Sequence, residues 1–177
     1  MTKPLYLTLF LLAILAAGAS AQTPKDSIIR NIRQVFQRIN HDSTLRGVRL
    51  EAEEFLEEAP DNGGELTGYF KGDTLKKMIF YVGPSYGLIE QQYYFDQGQI
   101  VFIYDTEKDF PATSTGELDV TKPHLVFEGR YYFDQGKLIE KILKGKKKFD
   151  IPIDAEYIAD LLSSLPKYRK LLSARLR

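Results

Sequence analysis

The sequence predicts an α+β fold: an antiparallel β-meander of about six strands, in three hairpins, packed against an N-terminal helix and followed by a C-terminal helix. Three observations predict it. The hexapeptide Tyr-Tyr-Phe-Asp-Gln-Gly occurs at Tyr93–Gly98 and again at Tyr131–Gly136, 38 residues later. Before these segments, Ile28, Ile32, Val35, Phe36 and Ile39 make one apolar stripe at helical spacing. After them, Ile158, Leu161, Leu162 and Leu165 make another.

The first residues read as a secretory leader. Lys3 supplies the positive start, Leu5 to Ala17 is an apolar run of 13 residues, and Ala19-Ser20-Ala21 is a small-residue cleavage site. That run is shorter than the ~20 residues a membrane span needs. Residues 1–21 are therefore expected to be a cleavable signal peptide, the alternative being an uncleaved N-terminal anchor. Residues 22–177 would form a single α+β domain, periplasmic or secreted, with no membrane span in the mature chain.

The 177 residues include no cysteine. Disulfides, thiolate metal sites and thiol nucleophiles are excluded, and the fold must rest on packing. Eleven Phe and eleven Tyr, with no Trp, point to an aromatic-rich core. Charge is uneven along the chain. Residues 22–50 carry 6 basic and 2 acidic side chains, residues 51–120 carry 4 and 15, and residues 121–177 carry 13 and 7. Basic ends around an acidic middle read as self-complementary packing. The balanced total argues against nucleic acid as a main partner.

The first helix is expected from Pro24 to Asn40, stopped by Asn40-His41-Asp42-Ser43. Residues 45–59 fit two periods. Leu45, Val48, Ala52, Phe55, Leu56 and Ala59 match helical spacing, whereas Leu50, Ala52 and Leu56 fit one face of a strand. Glu and Ala content tips the expectation to helix. Pro60-Asp61-Asn62-Gly63-Gly64 ends that segment.

Three hairpin units follow, around Gly72, Gly98 and Gly136. Aromatic residues favour the pleated strand. Asp-Gln suits the centre of a type I turn, and the next Gly a left-handed bulge. Leu88–Phe95 and Ile100–Tyr104 are expected to pair. Phe110 to His124, with Pro111, Gly116 and Pro123, is a connecting loop or, alternatively, a binding loop. Lys146-Lys147-Lys148 reads as a charged edge that discourages strand pairing. Asp154 is placed to cap the last helix, and Pro166 to interrupt it.

The hairpin unit, Tyr-Tyr-Phe-x-x-Gly followed by Lys or Gln and then Leu or Ile, resembles that of small exported bacterial proteins without an assigned function. It faintly resembles MORN-type hairpin repeats, whose His-Gly-x-Gly part is missing here. The similarity spans residues 65–143 at most and carries no functional residue over.

Gly83-Pro84-Ser85-Tyr86-Gly87 matches G-x-S-x-G, and Asp105, Asp109 or Asp119 and then His124 follow in hydrolase order. That motif needs a strand before the serine and a helix after it, whereas another strand is expected here. His41-Asp42-Ser43 holds three triad residue types as neighbours in sequence, which does not make a relay. Asp61-Asn62-Gly63-Gly64-Glu65 has oxygen ligands without calcium-loop spacing. Glu51, Glu53, Glu54, Glu57 and Glu58 could supply a carboxylate pair, but a dense run reads as a solvated face. No catalytic residue, metal site or cofactor is expected. Tyr69, Tyr94 and Tyr132 are the candidate ligand-binding residues. Tyr94 and Tyr132 alternate with Tyr93/Phe95 and Tyr131/Phe133, so that if one sheet face is core the other presents a row of phenols. The alternative is that they complete the core beneath a helix. The expected function is a non-enzymatic exported binding module for an unknown protein or envelope glycan. A small hydrolase using Ser85 or a carboxylate pair is the alternative.

Overall fold

The computed structural model describes residues 23–176. The proposed leader lies outside the described residues. The elements are α1 (Pro24–His41), β1 (Arg46–Glu51), the single turn α2 (Ala52–Phe55), β2 (Gly64–Lys71), β3 (Thr74–Val82), β4 (Gly87–Asp96), β5 (Gln99–Asp109), β6 (His124–Asp134), β7 (Lys137–Gly145), α3 (Ala155–Ser163) and α4 (Leu165–Leu176). The strands form one antiparallel sheet in the order β1 to β7, each beside its neighbour in sequence. The meander is as predicted, with seven strands rather than about six.

The extra strand comes from the ambiguous segment. Residues 46–51 are β1, and only 52–55 turn as helix. Tertiary pairing outweighs the helical preference of Glu and Ala here. β1 finds an open ladder on β2, from Arg46 opposite Phe70 to Glu51 opposite Glu65. It buries Val48 and Leu50 on one side. α1 begins as its sequence dictates. Thr23 and Asp26 form a reciprocal capping box, and Pro24 occupies the first turn. Asp154 caps α3 by accepting from the backbone N–H groups of Glu156 and Tyr157, each at 3.0 Å. The helical tail is interrupted as expected, the break falling at Ser164, and Pro166 lies in the first turn of α4, where a missing N–H costs nothing.

The repeated hexapeptide reverses the chain, but by a different turn from the one expected. Gln97 and Gly98, at φ 48° and 79°, are the two central residues, as are Gln135 and Gly136 at 49° and 76°. Positive φ at both positions is the type I′ pattern, whose twist matches that of paired strands. The bulge sits further on, in the returning strand. Tyr94 opposes Phe102 and Phe95 opposes Ile100, leaving Val101 as the extra residue. Ile139 and Lys76 are the extra residues at the same place in the other two hairpins. Val101 and Ile139 thereby join the apolar cluster under α1. Because Gln pays a steric penalty at positive φ, Gln135→Asn should raise the urea midpoint slightly. Gly136→Ala should lower stability by about 1 kcal/mol.

Both faces of the sheet are covered, by different helices. On one face α1 lays Ile29, Ile32, Val35 and Ile39 against Tyr94, Phe102 and Tyr132. On the other, α3 and α4 pack Ile158, Leu161, Tyr168 and Leu172 against Leu66, Met78, Tyr93 and Tyr131. Gly68 permits the closest approach: a Cβ there would stand 2.9 Å from Leu172 Cδ1. Among the described residues no helix is long and apolar enough to cross a membrane.

Candidate functional site

In-register pairing sorts the side chains of the α1 face into rows across the strands. Tyr69, Lys77, Tyr94, Phe102, Tyr132 and Glu140 make the first. Thr67, Ile79, Gln92, Tyr104, Arg130 and Ile142 make the second, two residues further along each strand and so on the same face. Glu65, Tyr81, Glu90, Thr106, Glu128 and Lys144 make the third. α1 packs on the first row, over β4, β5 and β6. Tyr81, Glu90 and Tyr104, in the next two rows, are half-buried rather than sealed.

This arrangement corrects the expected row of exposed phenols. Tyr94 retains 1% of its exposure and Tyr132 4%, because α1 needs an apolar bed and these are the rings beneath it. The Phe36 ring stands 4.9 Å from that of Tyr94 and 5.5 Å from that of Phe102, and Phe102 and Tyr132 are 5.0 Å apart. The Tyr94 hydroxyl donates to Gln92 Oε1 at 2.6 Å, and burial pushes its pKa up to about 12. Tyr69 is half-buried at the end of the row, with Lys77 Nζ 5.9 Å from its ring centre. The sequence argument missed Tyr81 and Tyr104, the tyrosines of the open part. They carry no repeat signal. Only their register, two residues from the repeat row for Tyr104 and four for Tyr81, could have placed them.

Where α1 crosses β5 and β6 there is a cleft of about 400 Å³, lined by Ile32, Arg33, Phe36, Gln37, Phe102, Tyr104, Arg130 and Tyr132. This lies within the usual size range of small-ligand sites. Arg33 lies over the Tyr132 ring at 5.8 Å and Arg130 over Tyr104 at 5.7 Å. Behind the cleft Glu128 has three partners, one through a hydrogen bond and two through ion pairs. It accepts from Tyr104 Oη at 2.7 Å, pairs with Arg130 Nη2 at 2.8 Å and lies 3.8 Å from Lys144 Nζ. Burial, together with the Glu128 hydrogen bond, raises Tyr104 to about 12, so its hydroxyl serves as a donor and not as a base. Arg33 makes no ion pair or hydrogen bond among the described residues.

A second polar cluster lies on the opposite face. Lys147 Nζ stands 3.2 Å from Asp105 Oδ2 and 3.4 Å from Glu107 Oε2, with all three side chains at most 3% exposed. Tyr157 Oη donates to Asp105 at 2.6 Å, and the Lys148 amide donates to Glu107 at 2.9 Å. Lys147 is thus not an edge charge. Gly145, at φ 72°, turns the chain off β7 and carries the lysine under α3. Burial raises the pKa of Asp105 against the attraction of Lys147. The cluster is closed to solvent and fastens the C-terminal segment to the sheet.

The remaining candidates are structural. Ser85 is exposed in the turn between antiparallel β3 and β4, so no strand-to-helix elbow presents it. Gly87, Asp109 and His124 do stand opposite one another across β4, β5 and β6. Yet Asp109 Oδ2 is held by Lys148 Nζ at 3.1 Å, and no hydrogen bond joins Ser85, His124 and Asp109 among the described residues. Asp105 is in the buried cluster, and Asp119 pairs with Lys122 at 3.0 Å. His41 donates through Nδ1 to the Gln37 carbonyl at 2.7 Å, at the helix end. Hydrogen bonds from Thr44 and Lys71 hold Asp42 down at about 2. Of the acidic run, Glu51 and Glu54 cap α2, Glu54 pairs with Arg175 at 3.2 Å, and Glu53, Glu57 and Glu58 are solvated. Asp61 to Gly63 form a turn, and Glu65 pairs with Arg49 at 3.0 Å. No group of three or more His, Cys, Asp or Glu able to hold a metal occurs among the described residues.

Comparison of the chain with family models, curated proteins and solved structures gave no match. The class that fold and site define is therefore a geometric one: a seven-stranded meander between two helical layers, with an aromatic, arginine-bearing cleft beside the first helix.

Proposed function

We propose that the chain is a non-enzymatic binding module exported from the cytoplasm, the first 21 residues being its leader, and that its ligand face is the half of the sheet beside α1. The observation that carries this reading is the cleft between α1 and β5–β6. It joins concave apolar walls to a few convergent polar groups, the usual make-up of a ligand site. Nothing in it has the form of a nucleophile with an adjacent base. The open rows of this face beyond the cleft, with Tyr81, Tyr104 and Arg130, offer rings and a guanidinium group that suit a protein or an envelope-glycan surface.

Nuclear magnetic resonance of labelled residues 22–177, titrated with size-fractionated periplasmic extract, tests the reading. Shift changes should concentrate on Arg33, Phe36, Tyr104 and Arg130. Changes confined to the loop 110–123 or to the α3–α4 surface would refute it.

A further inference from the structure

We infer that the cleft beside α1 takes one small anionic amphiphile, a free molecule whose single anionic group meets Arg33 and whose apolar body lies against Phe36, Phe102 and Tyr132. The inference rests on the reading of this cleft as the ligand face, and it names the chemistry of the ligand.

Charge makes the first argument. Of the residues lining the cleft, two are arginines and none is acidic. Of the carboxylates nearby, Glu128 is shared by Tyr104, Arg130 and Lys144, and Glu140, which lines the adjoining hollow with Asp26 and Arg33, is paired with Lys25. Arg130 thus has an ion-pair partner, whereas Arg33 makes no ion pair among the described residues. A planar guanidinium stacked on an aromatic face keeps its N–H fork free for a carboxylate or related anion. Shape makes the second. The walls are rings and an isoleucine, and they leave about 400 Å³. Filling such a space needs an apolar body, and a bare inorganic anion would leave the rings in water.

The test uses residues 22–177 with 8-anilinonaphthalene-1-sulfonate as reporter and two competitors matched in chain length, dodecanoate and dodecyltrimethylammonium. We expect one reporter per chain, displacement by dodecanoate, and no displacement by the cation at the same concentration. Arg33→Gln, an exposed helix position, should weaken reporter and dodecanoate about tenfold, the loss of one charge-assisted hydrogen bond. Its near-ultraviolet spectrum should be unchanged, which separates lost binding from lost fold. Equal displacement by the cation, or unaltered binding in Arg33→Gln, overturns the inference. So does Arg33-dependent sedimentation with phosphatidylglycerol vesicles without binding of free dodecanoate, which would make the site a membrane contact. If no anion binds while extract still shifts Arg33 and Tyr104, the ligand class falls and the binding face stands.

Discussion

Lys147→Ala is expected to cost about 3–5 kcal/mol of unfolding free energy, measured by urea titration. Removing this ammonium leaves Asp105 and Glu107 as two carboxylates with almost no access to water. It also empties the space over the Phe127 ring, whose centre lies 4.6 Å from Nζ. Lys147→Met, which keeps most of the volume, should recover only part of the loss. Combining it with Asp105→Asn and Glu107→Gln should recover most of the rest, because no unpaired charge then remains buried. The acid side of the stability profile should also steepen. The Asp105 pKa already lies above its ordinary 3.8 in the folded chain, so its ionisation opposes folding as pH rises through that interval. Without Lys147 its pKa must climb further. The variant should therefore gain stability on mild acidification where the parent gains less.

Tyr94→Ala should cost about 3–5 kcal/mol, the range for emptying a buried aromatic site. The ring touches Phe36 and Phe102, and Lys77 Nζ lies 5.1 Å above it. Tyr94→Phe should cost only about 1 kcal/mol, for the hydroxyl bonded to Gln92 and, at 3.2 Å, to Asn40. Hydrogen exchange should show where the damage falls. Amides of α1 should lose protection first, since the helix is held to the sheet largely through this row. The same burial means that alanine at Tyr94 or Tyr132 tests the seat of α1, and that Arg33 and Tyr104 are the positions at which to probe recognition.

The fold was legible wherever a local pattern met a local cause. The repeated hexapeptide encodes a turn from its own Gly and aromatic content, and three hairpins followed from it. The stripe of α1 was readable for the same reason, apart from Ile29, which is buried although the stripe omitted it. Residues 46–51 were not readable, because what makes them a strand is the free edge of β2, whose paired residues lie 14 to 24 positions further along the chain. Lys147 failed differently. A run of three lysines looks alike whether solvated or buried, and only the turn at Gly145 singles out the middle one. The repeat pointed to the sheet face that α1 covers and to Tyr94 and Tyr132, and the helix that seats there leaves no room for those rings to be exposed. The open tyrosines, Tyr81 and Tyr104, lie in rows that carry no motif.

Neighbour-only pairing of the strands has a kinetic consequence. Four of the six ladders close loops of two to four residues, so the sheet can be assembled outward from its hairpins at little entropic cost. The helical layers cannot. Asn40 must find Tyr94 across 54 residues, and Lys167 must reach the Phe55 carbonyl across 112. The ladders are therefore expected to gain hydrogen-exchange protection before the helical layers do in pulse-labelled refolding, with aromatic rings on both sides wet until the two ends of the chain arrive.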